Sequence, residues 1–255
     1  MSRFFPTIAS ILMALLAFAG ATAQASEPPP PQARNVVLVH GAWADGSSWS
    51  EVIPLLHDAG LNVVSVQNPL TSLSDDVAAT RRALDRLEGP TVLVGHSYAG
   101  TVVSEVGADP RVTGLVYVAA RAPDANEDFV ELAKGFPTMP VRAGIVASDG
   151  FLTLREDAFL AYFADGLPMA KAKALFAAQQ PIAADLFAGR TTVAAWRSKP
   201  SWYAVSKDDN TTSPELQRFL AKRMGARVVE LDSGHLSLLS HPQEIAQLIL
   251  AAAGR

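Results

Sequence analysis

The 255-residue sequence predicts an α/β protein built on a doubly wound, mostly parallel six-stranded sheet with an inserted helical segment. Short apolar, β-branched runs alternate with longer segments of helical periodicity, the pattern of parallel strands joined by crossover helices. That alternation breaks once, over residues 122–198, a stretch far longer than the ~10 to 15 residues a crossover helix needs, so a subdomain is inserted there. Apolar residues make up 49% of the chain, enough to cover both faces of such a sheet.

The strands are expected at Val36–Val39, Asn62–Val66, Thr91–Val94, Gly114–Val118, Trp202–Ser206 and Arg227–Leu231. Between them, Trp49–Ala59, Ser74–Leu87, Tyr98–Gly107, Pro214–Met224 and Pro242–Ala252 have helical spacing. Their starts carry capping signals: Ser74 before Asp75 and Asp76, Ser213 before Pro214, and His241 before Pro242. Within the insertion, residues 126–134, 156–164, 168–179 and 183–187 read as helices, and Asp149-Gly150 reads as a hairpin turn. Residues 35–121 and 199–255 thus form the core, and 122–198 a helical lid rich in phenylalanine. Aromatic residues at helical spacing mostly pack lid against core, but some are expected to line a cavity.

Residues 1–25 read as a signal peptide: Arg3 gives a positive start, Ile8–Ala19 is apolar, and Ala23-Gln24-Ala25 has the small-x-small pattern of a cleavage site. The apolar run is short of the ~18 to 20 residues of a spanning helix, so no stable membrane anchor is expected after cleavage. Residues 26–34 form a proline-rich leader. A formal charge of −4 without a Lys/Arg stripe argues against nucleic acid or anionic membrane as partner and leaves a small molecule. No His/Asp/Glu cluster has ligand spacing, so neither metal nor cofactor is expected. The absence of cysteine is neutral on compartment.

The segment Val92-Leu93-Val94-Gly95-His96-Ser97-Tyr98-Ala99-Gly100 places a serine at a sharp strand-to-helix turn. Small residues two positions either side let strand and helix backbones come close, and Gly95 and Ala99 meet that need, although the usual pattern has glycine where Ala99 stands. A serine hydroxyl needs an imidazole to take its proton, and that imidazole needs a carboxylate to fix its tautomer. His235 follows the sixth strand and Asp209 the fifth, so both fall with Ser97 at the carboxyl edge of the sheet, where sites of doubly wound sheets form. Asp209 heads a turn leading to the Pro214 helix start and is preferred as the acid over its neighbour Asp208, with Asp232 a third candidate. His96 reads as a packing residue, His57 as solvated and His241 as a helix cap. After the first strand, Gly41 lets the chain turn so that the amides of Ala42 and Tyr98 point at a developing oxyanion.

These residues resemble the α/β-hydrolase superfamily over Asn35–Gly254, and in particular its small lidded branch of methylesterases, hydroxynitrile lyases and bacterial esterases. The resemblance is carried by Val-His-Gly-Ala-Trp at 39–43, Gly-His-Ser-Tyr-Ala-Gly at 95–100, Lys-Asp-Asp-Asn at 207–210 and Ser-Gly-His-Leu-Ser-Leu-Leu-Ser-His-Pro at 233–242. It implies Ser97, Asp209 and His235 as a triad and Ala42 and Tyr98 as oxyanion donors. The lyases of this branch carry a lysine after the histidine where this chain has Leu236, and the dehalogenases use aspartate where it has Ser97.

The expected function is therefore hydrolysis of small to mid-sized apolar or aromatic carboxylic esters through an acyl-serine intermediate, with Trp43, Phe129, Phe151, Phe159 and Phe163 against the substrate. The alternatives are lyase or cofactor-free perhydrolase or oxygenase chemistry on the same triad, or a non-catalytic small-molecule-binding protein on this fold. Export is checked by mass spectrometry of the protein recovered from the periplasm or medium: the mature chain should begin at Ser26, and retention of Met1 would refute cleavage.

Overall fold

A computed structural model describes Met1 and residues 32–255. The signal peptide beyond Met1 and residues 26–31 of the leader lie outside the described residues. In chain order the first half contains β1 (Asn35–Val39), α1 (Val52–Asp58), β2 (Asn62–Val66), α2 (Leu73–Leu84), β3 (Thr91–His96), α3 (Ala99–Val106) and β4 (Val112–Val118). The insertion contains α4 (Phe129–Ala133), β5 (Ile145–Ser148), β6 (Phe151–Leu154), α5 (Glu156–Ala158), α6 (Met169–Ala177) and β7 (Ile182–Ala183). The core resumes with β8 (Ser201–Ser206), α7 (Pro214–Arg223), β9 (Arg227–Leu231), α8 (Ser237–Ser240) and α9 (Pro242–Ala252).

The main sheet has the order β2-β1-β3-β4-β8-β9 with every adjacent pair parallel. The central strands are apolar on both faces because helices cover both: the consecutive pairs Val36 and Val37, Leu93 and Val94, and Leu115 and Val116 are fully buried. Edge strand β9 alternates instead, with Val228 half exposed and Leu231 buried. All strands run the same way, so the loops leaving their carboxyl ends gather on one edge of the sheet.

Three local expectations are corrected. Ser72, not Ser74, caps α2: its hydroxyl accepts the Asp75 amide at 3.1 Å and donates to the Asp75 carboxylate at 2.7 Å. His241 occupies the position before α9 without a side-chain capping bond, its ring bonding Ser240 instead. Residues 183–187 are not helical: Ile182–Ala183 pairs with β6 as the third strand of a small antiparallel sheet, and a short 3₁₀ turn follows at Leu186–Ala188. The exposed edge of the hairpin, together with the Ala183 amide bonding Leu70 O at 2.9 Å, outweighs the weak local preference for helix. The hairpin itself turns at Asp149 and Gly150, both at positive φ (50° and 82°), as a two-residue turn with primed geometry requires. The segment read as a helix over 156–164 holds a single α turn followed by a π-helical turn over Phe159–Phe163.

Asp76, in the first turn of α2, is fully buried and accepts the Leu70 amide at 2.9 Å, pinning a non-glycine residue at φ 57°. Burial raises its carboxyl to about 6, against the lowering effect of the Leu70 amide and the Tyr98 hydroxyl. A carboxyl raised in the folded state stabilises the fold at pH values below its unfolded value, and that contribution is lost as pH rises through the folded value. Relative to Asp76→Asn, the wild-type protein should therefore lose about 2 to 3 kcal/mol of stability between pH ~4 and ~7, read from urea denaturation at a series of pH values.

Candidate active site

The sharp turn between β3 and α3 holds Ser97 at φ 55°, a left-handed conformation costly for a residue with a side chain. Close approaches on three sides leave the turn no alternative. A Cβ at Gly95 would lie 2.8 Å from Ala99 O, and one at Gly100 would lie only 1.8 Å from Arg121 O. On the third side, a Cβ at Gly41 would meet Ser97 Cβ at 2.8 Å, which puts the loop after β1 directly against the serine. The position two after the serine tolerates Ala99 because the tightest backbone contact of the turn falls on Gly100. Main-chain bonds complete the frame: Ser97 donates to Val118 O at 3.0 Å, and Arg121 donates to Ser97 O at 2.9 Å.

Ser97, His235 and Asp209, far apart in sequence, form one hydrogen-bonded chain. Ser97 Oγ lies 2.9 Å from His235 Nε2, and His235 Nδ1 lies 2.8 Å from Asp209 Oδ2. A carboxylate only accepts, so Nδ1 carries the hydrogen and Nε2 is left to accept from the serine hydroxyl. Asp208 and Asp232 are exposed, and Asp232 pairs with Lys207 at 2.5 Å. Asp209 is completely buried, and its charge is met by four donors. The amides of Thr211 and Thr212 reach Oδ1 at 2.7 and 2.9 Å, and Gln217 Nε2 reaches Oδ2 at 2.8 Å beside the imidazole.

Gln217 escaped the reading of the sequence, where it is one polar residue on an amphipathic helix. Fully buried, it also accepts the Ser206 amide at 2.9 Å and donates to Thr212 O at 2.8 Å, so its amide ties β8 and the loop before α7 to Asp209. His96 was read as packing, and its ring does more than fill space: Nε2 donates to the His235 carbonyl at 3.0 Å and so holds that residue's backbone. Burial drives the His96 imidazole well below its ordinary range, with the neighbouring His235 adding to the effect. His57 is exposed, as expected.

The serine opens onto a cavity of about 700 Å³ between the sheet edge and the insertion. Ala42, Tyr98, Trp43 and Phe129 all line it, and neither the Ala42 nor the Tyr98 amide has an acceptor among the described residues. Three of the phenylalanines expected at the substrate are placed otherwise. Phe151 is exposed on the hairpin, where strand alternation turns it outward while Leu152 faces the cavity. Phe159 and Phe163 are buried behind the site, Phe163 packing 5.3 Å from the His235 ring and 4.8 Å from Phe159. Phe136, Phe187, Ile145 and Arg121 line the cavity in their place. Trp43, at φ 57°, bonds Leu152 O at 3.2 Å and packs edge-on to Phe187, joining the loop after β1 to the insertion.

The chain belongs to the alpha/beta hydrolase family, whose model matches residues 36–248. Among individual relatives, the pyrethroid hydrolase of Sphingobium wenxiniae is 26% identical over 84% of this chain and 86% of its own. Methylesterase 8 of Arabidopsis thaliana is 23% identical over 87% of this chain and 90% of its own. The crystal structure of polyneuridine aldehyde esterase shares the fold, with a TM-score of 0.73 at 18% identity over 88% of this chain and all of that one.

Gln217→Leu would strand the Ser206 amide, Thr212 O and one bond of Asp209 in the interior at once. It should cost at least about 2 kcal/mol of stability, measured by urea denaturation; a change under ~0.5 kcal/mol would show the amide to be dispensable.

Proposed function

We propose that this protein is a serine hydrolase of carboxylic esters, with Ser97 as nucleophile, His235 as general base and then acid, and Asp209 as the carboxylate that orients it. The unbroken chain of short hydrogen bonds from Asp209 through His235 to Ser97, ending at a cavity, carries this reading. Ser97 Oγ attacks the ester carbonyl as His235 Nε2 takes its proton, and the amides of Ala42 and Tyr98 receive the negative oxygen. Collapse of the tetrahedral intermediate breaks the ester C–O bond, and the imidazolium returns the proton to the departing alcohol. Water, deprotonated by the same imidazole, then releases the acid and restores Ser97. The family membership and the esterase names among the relatives support the reading. In this proposal residues 122–198 act as a lid, their apolar lining suiting mid-sized apolar or aromatic portions of the substrate.

Fluorophosphonate labelling should modify Ser97 in the wild type and not in Ser97→Ala, and that variant should lose on the order of 10⁴-fold or more in kcat on p-nitrophenyl esters. Asp209→Asn should lose on the order of 10³- to 10⁴-fold, whereas Asp208→Asn should stay within about threefold. A wild type that never reacts with the probe would point to a binding protein instead.

A further inference from the structure

Arg121 is the least exposed of the three cations that line the cavity among the described residues. It lies three residues past the end of β4, and its main chain is bolted to the serine turn through the Ser97 O bond and the Gly100 contact. The guanidinium lies over two aromatic rings, 4.3 Å from the Phe187 centroid and 5.1 Å from that of Phe129. Its only hydrogen bond among the described residues is a long one, from Nη1 to Phe187 O at 3.3 Å. It forms no ion pair among those residues, and no aspartate or glutamate lines the cavity. Arg142 lines the same cavity, also without an ion pair among the described residues, and Lys134 at its margin is paired with Glu131 at 2.5 Å. Arg223, by contrast, meets Glu127 through both of its terminal nitrogens.

A half-buried guanidinium with most of its fork unused is costly unless an anion completes it. Burial lowers Arg121 to about 10, with Arg142 acting in the same direction, yet the group stays cationic at neutral pH. A planar carboxylate matches the fork in geometry and in charge, and a single desolvated cation suits one negative charge better than two. Clamping Phe187 against the core is a second use of this side chain, but a clamp does not require a charged residue in the cavity wall.

We propose that Arg121 binds a carboxylate of the substrate, so that the ester hydrolysed at Ser97 carries a second, free carboxylate at the far end of its apolar portion. This rests on the reading of Ser97 as an esterase nucleophile and narrows the substrate class from neutral apolar esters to half-esters of dicarboxylic acids and related carboxylated esters. Phe129 and Phe187 provide the apolar flanks along which the linking segment runs.

The test compares monomethyl half-esters from succinate to suberate with methyl esters of the monocarboxylic acids of equal chain length, so that each pair differs only in a terminal carboxylate. Hydrolysis is followed by proton release. At the best length the wild type should favour the half-ester by about 30-fold in kcat/KM. Arg121→Gln should bring that ratio near one, and Arg121→Lys, which keeps the charge but not the fork, should fall between. A wild-type ratio near or below one at every length, or a high ratio unaltered in Arg121→Gln, would overturn the proposal. Because the wild-type ratio is informative by itself, a variant that fails to fold does not remove the test. Calorimetric titration of monomethyl adipate into Ser97→Ala reads the carboxylate site without turnover. Binding that is lost in Ser97→Ala with Arg121→Gln supports the site even if fluorophosphonate labelling sinks the esterase reading, and binding equal in both proteins sinks the site alone.

Discussion

The site depends on one strained residue. Ser97 sits in the left-handed region because β3 must give way to α3 within two residues, and the turn fits only where neighbouring backbones come close enough to exclude a Cβ. Gly100 admits the chain after β4, Gly95 admits the start of α3, and Gly41 admits the loop after β1. The same contacts that force the conformation bring three loops to the serine, so strain and assembly have a common cause. The hydroxyl is thereby held against the imidazole of His235.

Around that residue the protein satisfies the buried acid of the site from every side. A carboxylate removed from water is tolerable only when its oxygens are fully met. Asp209 is met by two backbone amides, an imidazole and the Gln217 amide, which is in turn consumed by β8 and the loop before α7. His96, kept neutral by burial, holds the backbone of His235 from below, while Phe163 packs on its ring. The imidazole is thus fixed from three directions, and its tautomer follows from the partners on either side.

The insertion supplies what the sheet cannot, a wall. It is tied to the core by Trp43, by the Leu70–Ala183 bond and by Arg121 stacked between its phenylalanines. Its cavity face is largely apolar, with cations and no acids among the described residues, so its contribution is both shape and sign of charge. Folds of this class host many chemistries, and in the proposed reading this wall, more than the serine turn, would separate one substrate from another.

Much of this was legible in the order of residues. Parallel strands buried on both faces must be continuous apolar runs, so all six were visible within one or two residues of their ends, and a serine between Gly95 and Ala99 after such a run marks the turn. The order serine, acid, histidine at strand ends then singled out Ser97, Asp209 and His235, because a parallel sheet brings those ends to one edge whatever the sequence distance. Local pattern carried less in the insertion, where short elements owe their form to neighbours: residues 183–187 became strand and turn only because a hairpin edge lay beside them. Periodicity also marks a phenylalanine as buried without saying against what, which is why Phe159 and Phe163 lie behind the histidine and Phe151 faces solvent while Phe187 and Arg121 reach the cavity. The serine turn and its acid and histidine partners were thus written in short motifs and their order, whereas the partners of Gln217 and the open fork of Arg121 were decided by tertiary contacts, since burial and charge pairing belong to distances between segments that the sequence alone does not specify.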